Sequence, residues 1–339
     1  MRMSAFALFL LAASPALAAP DHQGIAKRAA ETFIIPGYQR LHEAAAALAS
    51  GAAACEPERT IALYHDAFDA WMGVSHLAFG PVEAEGRVLA IAYWPDKKGF
   101  TPRALRGLID AENPVVDDPA AFADVSVAAR GFFALDHLLF DPGMAAAGDA
   151  AYRCRLTVAI GRDLERISAE ILDEWRGGYG DLLANAGAPD NLAYLSPEEA
   201  SQALYKTELA GLKMTLDLRL DRPLGTFDRP APRRAEAWRS GRSTRNIRLS
   251  LAAVNDMYEQ VFAPALTEAE DAPIRAAFAY ALAAAARAPE PLDEAVADPL
   301  RRVRLEALRG ALVALSDRLG SGLGGALGVG RGFNAMDGD

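Results

Sequence analysis

The feature that most constrains this chain is the scarcity of the two-residue alternation that strands need. Runs of Val, Ile and Thr alternating with polar residues hardly occur, whereas alanine is used heavily, as in Ala44 to Ala47 and Ala283 to Ala286. Alanine loses no side-chain freedom in a helix and is the best helix former, so the pattern predicts an all-α protein. The expected helical regions are 24–50, 58–79, 119–140, 147–176, 197–220, 232–262, 268–287 and 297–319.

Local punctuation supports several of these ends. Ser196-Pro197-Glu198-Glu199 places a hydroxyl cap ahead of a first-turn proline and two acids that suit the positive end of a helix. Thr267-Glu268-Ala269-Glu270 has the spacing of a capping box, and Gly80-Pro81 is expected to stop the helix that carries Trp71 and His76. The turn-rich stretch from Gly177 to Asp190 divides the chain into two helical bundles, about 24–176 and about 192–319. Residues 80–100, with Val88-Leu89-Ala90-Ile91-Ala92-Tyr93-Trp94 ahead of Pro95, read as an extended or irregular excursion. Residues 320–339 read as a glycine-rich flexible tail. Its Gly-x-Gly groupings follow no strand, which argues against dinucleotide binding.

Residues 1–18 have the composition of an export signal: Arg2, an apolar run from Phe6 to Ala13, and a small-x-small site at Ala16-Leu17-Ala18. Cleavage after Ala18 would send the chain to the periplasm. No cysteine follows that site until Cys55, so a lipid anchor at the new amino terminus is not expected. No later run is apolar enough for a transmembrane helix. Cys55 and Cys154 form an even pair suited to an oxidising compartment, where a bridge is expected over two free thiols; a metal site from so distant a pair is the weakest alternative.

The chain carries 35 basic and 45 acidic residues, a formal net charge of -10, and losing the leader would remove Arg2 and no acid. That balance disfavours nucleic acid as a partner, because nonspecific binding rests on neutralising phosphates. The basic clusters from Arg229 to Arg248 and from Arg301 to Arg309 are expected to be solvated helix faces.

The run Gly131-Phe132-Phe133-Ala134-Leu135-Asp136-His137-Leu138-Leu139-Phe140 resembles the signature helix of the imelysin family, Gly-x-His-x-x-Glu, with Phe133 in the His place and Asp136 in the Glu place. Further blocks resemble the family's periplasmic branch in the same order: Ala70-Trp71 to Pro81, Tyr93-Trp94-Pro95-Asp96-Lys97, Lys206 to Lys213, Glu236-Ala237-Trp238-Arg239-Ser240-Gly241-Arg242-Ser243, and Gly332 to Asp339. The resemblance implies two tandem four-helix halves, an association with iron uptake, and a site near the seam between the halves. It also implies a metal-dependent peptidase activity as an alternative.

On a helix, positions three apart share a face, so Phe133 and Asp136 should look into one space. Phe133 removes a ligand where the family would supply one, which favours a recognition pocket over a metal centre. The metal reading uses Asp136 with His137 or His76 as donors for iron or another divalent metal. His65, Asp69, Met72 and His76, spaced helically on 58–79, would line one stripe, although a partly buried helix face whose histidines are satisfied by hydrogen bonds is the favoured explanation. The pocket reading gathers Asp136, Phe133, Trp94, Asp96, Trp238, Arg239, Ser240 and Arg242, a mixture of aromatic planes, guanidinium forks and small donors suited to a small anionic ligand or chelate. The peptidase reading lacks a complete His-Glu-x-x-His, since His42-Glu43 is followed by alanines. A helical scaffold binding a periplasmic or envelope protein is the remaining alternative.

Overall fold

The computed structural model describes residues 20–329. The leader at 1–18, its cleavage site and the block from Gly332 to Asp339 lie outside them. Among the described residues there is no strand; a single isolated bridge pairs Thr226 with Arg229. The fold is two adjoining helical bundles, and the buried apolar side chains of both form one continuous core.

In the first bundle, Ile35–Ala52 lies along Ala150–Glu174 and beside Pro57–Met72. Gly161 makes the closest of these contacts possible, because a Cβ there would stand 3.2 Å from the Cα of Ala49. In the second, Glu268–Ala286 packs on Pro299–Arg318, while Ser243–Met257 packs on Pro197–Lys213. Helix starts are fixed as the punctuation predicts. Ser196 accepts from the Glu199 amide at 3.2 Å, and Thr267 with Glu270 closes the capping box.

The bundles are tied by their first helix. It runs without a break over 22–52 through a π-turn at Ala29–Ile34, so its two ends serve different halves. His22–Arg28 packs on Pro197–Lys213, with the His22 ring 2.9 Å from the Ser201 hydroxyl and Arg28 donating to the Val261 carbonyl. Across the seam, Arg242 and Arg245 of the second half both reach Asp69 on Pro57–Met72. Cys55 and Cys154 are joined by a disulfide with their Cα atoms 5.6 Å apart.

Six expectations need correction. The helix from Pro57 ends at Met72 rather than 79, so His76 falls in the following turn and the stripe with His65 and Asp69 is broken. Within 80–100, expected to be extended or irregular, Gly80–Gly86 is a 3₁₀ stretch kinked at Ala84 and Glu85 (φ 53°) and Arg87–Ile91 is a short helix, while 92–99 is irregular. Phe100–Asp110 is an unforeseen helix whose first amides are capped by Asp96. The span 119–140 is interrupted, and 232–262 holds only a 3₁₀ turn at Pro232–Arg234 before its α-helix begins at Ser243, because Ala237 (φ 45°) and Gly241 (φ 69°) turn the chain. Finally, residues 320–329 do not form a loose tail: Leu323 and Leu327 are buried, and Tyr205 donates to the Gly320 carbonyl at 3.2 Å.

Candidate functional site

The signature helix Gly131–Phe140 opens with a glycine for a steric reason. Gly131 has φ +70°, and a Cβ on it would lie 2.3 Å from the Ala90 carbonyl oxygen and 2.2 Å from that of Ile91. Only glycine lets this helix start against the end of Arg87–Ile91. Its next residue, Phe132, stacks on Phe68 with centroids 4.6 Å apart and aims the following turn at the seam.

Phe133 and Asp136 then face one cavity of about 590 Å³ bounded by both halves of the chain. Trp94 stacks on Phe133 at 6.1 Å, and Phe68 meets Phe133 edge-on at 5.7 Å. The phenyl ring in the signature's histidine place is therefore part of an aromatic wall. Asp136 is only 1 % exposed, yet it borders the void. Its Oδ1 accepts from the Ser240 hydroxyl at 2.6 Å and from the Tyr64 hydroxyl at 3.1 Å. Burial raises its proton affinity above the usual carboxylate range, opposed by the Ser240 hydrogen bond, the Arg239 charge and Tyr64.

The structure brings together most of the residues expected at this place. Trp94, Asp96, Phe133, Asp136, His137, Trp238 and Arg239 all line the cavity. Arg239 lies over the Trp238 ring at 4.5 Å and pairs with Asp141 at 3.1 Å. Asp96 faces the cavity but is spent on local structure. Its partial burial is outweighed by the amides of Thr101, Phe100 and Lys98, which hold the carboxyl below its usual range.

Three expected residues stand elsewhere. Ser240 reaches the site only through Asp136. Arg242 lies behind the aromatic wall, over Phe68 at 4.3 Å, bonding Asp69 at 2.6 Å, His65 at 2.9 Å and Asn246 at 2.9 Å. His76 is buried apart from the cavity, 5.7 Å from the Phe33 ring and pressed on Gly211, with neither ring nitrogen hydrogen-bonded. Burial and the Arg219 charge drive its pKa down to about 3, so it is neutral.

This donor set does not fit a bare divalent cation. Asp136 already accepts two hydroxyl hydrogens, and His137 stands beside Arg239, with burial and that charge lowering its pKa to about 4. Among the described residues no group of three or more His, Cys, Asp or Glu could hold a metal ion. What reasoning from sequence missed are the cations of the cavity: Lys97, Arg222, Arg233 and Arg234. A signal was present in Arg229-Pro230-Ala231-Pro232-Arg233-Arg234, because prolines so spaced forbid the regular solvated helix face to which those arginines were assigned.

The comparisons agree with this architecture. The Imelysin (Peptidase_M75) family model matches residues 34–319. Iron-regulated protein A of Synechococcus elongatus (strain ATCC 33912 / PCC 7942 / FACHB-805) is 24% identical over 269 residues, covering 74% of this chain and 69% of that protein. An imelysin-like protein from Psychrobacter arcticum 273-4 superposes with a TM-score of 0.79 at 20% identity, covering 94% of this chain and 100% of that one. A protein described as an iron-regulated protein A precursor, from Parabacteroides distasonis ATCC 8503, gives a TM-score of 0.75 at 11% identity, covering 91% and 95%. The two superpositions carry the fold, and the family match over most of the length carries the ancestry: this chain belongs to the imelysin family.

Proposed function

We propose that the protein is an exported, noncatalytic binding component of iron acquisition that holds a small ligand at the seam between its bundles. The observation that carries this reading is the cavity itself: about 590 Å³, walled by Trp94, Phe133 and Trp238, with Asp136 at its inner edge. That size suits a small molecule rather than a single ion. The iron-related names of two relatives support the physiological setting. Export is supported by the composition of residues 1–18 and by the description of one relative as a precursor. Among the described residues no helix is long and apolar enough to cross a membrane.

Binding without turnover is favoured by what surrounds Asp136. A carboxyl that accepts two hydroxyl hydrogens is a positioning group for the 235–242 turn more than a base aimed at a substrate. Iron would then arrive as a chelate whose ligand the pocket recognises. Equilibrium dialysis of the exported chain against ferric citrate and against ferrous ion alone tests the reading. Iron should be retained as the chelate by the native protein, and Asp136→Ala should weaken retention about tenfold or more by freeing Ser240 and Tyr64. Retention of no iron species, or equal retention by Asp136→Ala, would contradict it.

A further inference from the structure

Buried and half-buried cations in this protein almost always have an acid. Arg219 pairs with Glu236 at 2.8 Å, Arg130 with Asp163 at 2.7 Å and Arg242 with Asp69 at 2.6 Å. The cavity departs from that habit at one half-buried cation, Arg222, which is joined there by three exposed ones. Lys97, Arg222, Arg233 and Arg234 all line it, and among the described residues none of the four has a carboxylate partner. This happens in a chain with ten more acidic than basic residues, so partners were available elsewhere.

Arg222 is the clearest case. Its guanidinium lies over the Trp94 ring at 5.3 Å, and its Nη1 is buried with no hydrogen-bond partner. Burial lowers its proton affinity, and the like charge of Arg234 lowers it further, so the two cations face a common space and repel. Arg233 lies over Trp238 at 5.6 Å. A desolvated donor without an acceptor is costly, and like charges add to the cost; an anion in the cavity relieves both. Asp96 does not serve, since backbone amides hold both its oxygens, and Asp136, whose Oδ1 is taken by two hydroxyls, forms no ion pair with any of the four.

We infer that the pocket takes a small organic polycarboxylate, an anion with two or more carboxylate groups, held between Arg222 and Arg234 with Lys97 and Arg233 beside them. The cations are spread around a cavity far larger than one inorganic oxyanion, so charges at several points of one molecule match them. Guanidinium forks give such groups paired hydrogen bonds, and indole rings beneath two of them fix the forks in place. This assignment rests on the binding reading above and specifies its ligand class; the same chemistry is offered by the free polycarboxylate and by its ferric chelate.

Isothermal titration of the exported chain tests it, with metal-free citrate, ferric citrate, acetate and inorganic phosphate as probes. Citrate should bind one to one, at least about tenfold more tightly than acetate or phosphate. Arg222→Gln and Arg234→Gln should each weaken citrate about tenfold or more, whereas Arg155→Gln, on the distant surface pair with Asp117, should leave it unchanged. Thermal melts establish that each variant is folded. Ferric citrate binding without any citrate binding would overturn the polycarboxylate assignment and leave the iron reading standing; binding of neither would overturn both. Phosphate binding as well as citrate, or either arginine variant binding as the native protein does, would also overturn the assignment.

Discussion

Gly131 and Phe133 show how single positions shape this site. Two backbone carbonyls occupy the space a side chain at Gly131 would need, so Gly131→Ala should lower stability by about 2 kcal/mol or more, read from the midpoint of urea unfolding. An unchanged midpoint would mean that the signature helix does not begin where it is placed here. His76 makes a second case. It is buried and neutral, with its pKa lowered to about 3. A base lowered on folding contributes stability that is complete above its unfolded pKa near 6.5 and is lost as pH falls towards 3; His137, lowered to about 4, acts in the same direction. His76→Gln should therefore flatten the decline in stability between pH 6.5 and 3, by roughly 3 to 5 kcal/mol across that window. An acid limb as steep as the native one would show that His76 is not buried as a free base. At this scale the sequence was partly legible: Asp136 could be assigned inward from its spacing to Phe133, because helix geometry decides that. Arg222, Arg233 and Arg234 were not, because basic residues in sequence do not say which space they border, even where Pro230 and Pro232 argue against a regular helix face.

Among the elements, the 235–242 turn does the most to hold the seam. Sequence reading made it helix because nothing in Glu236-Ala237-Trp238-Arg239 breaks a helical pattern until Gly241; tertiary contacts decide otherwise. Glu236 accepts from Arg219 and from Asn246, both fully buried, while Ser240 reaches Asp136 and Arg242 reaches Asp69. Removing one member of a buried pair strands the other charge. Glu236→Ala should cost about 3 to 5 kcal/mol in chemical denaturation, well above the cost of cutting an exposed pair such as Lys27 with Glu31. Equal costs for the two would contradict the burial described. The Cys55–Cys154 bridge was legible from the even count and from the signal-like composition of residues 1–18. It closes a separation of 99 residues, and Cys154→Ser should lower stability by up to about 4.7 kcal/mol through the freed unfolded chain.

At the scale of the whole molecule, composition and caps were enough for an all-α chain in two bundles, because alanine-rich periodicity leaves few other options. The division of labour in the first helix was not readable. Its 22–34 stretch is amphipathic like any other, and only the packing of His22–Arg28 on Pro197–Lys213, with His22 on Ser201 and Arg28 on the Val261 carbonyl, shows that it reaches the second half. We propose that the halves are interdependent rather than separable units, and that the cavity between them is the place where the protein meets its ligand. X-ray diffraction from crystals of the exported chain soaked with ferric citrate, with anomalous data at the iron edge, tests that most directly. The account predicts citrate density between Arg222 and Arg234 with the iron signal inside the cavity; an iron signal ligated by Asp136 or His76, or chelate density confined to the outer surface, would contradict it.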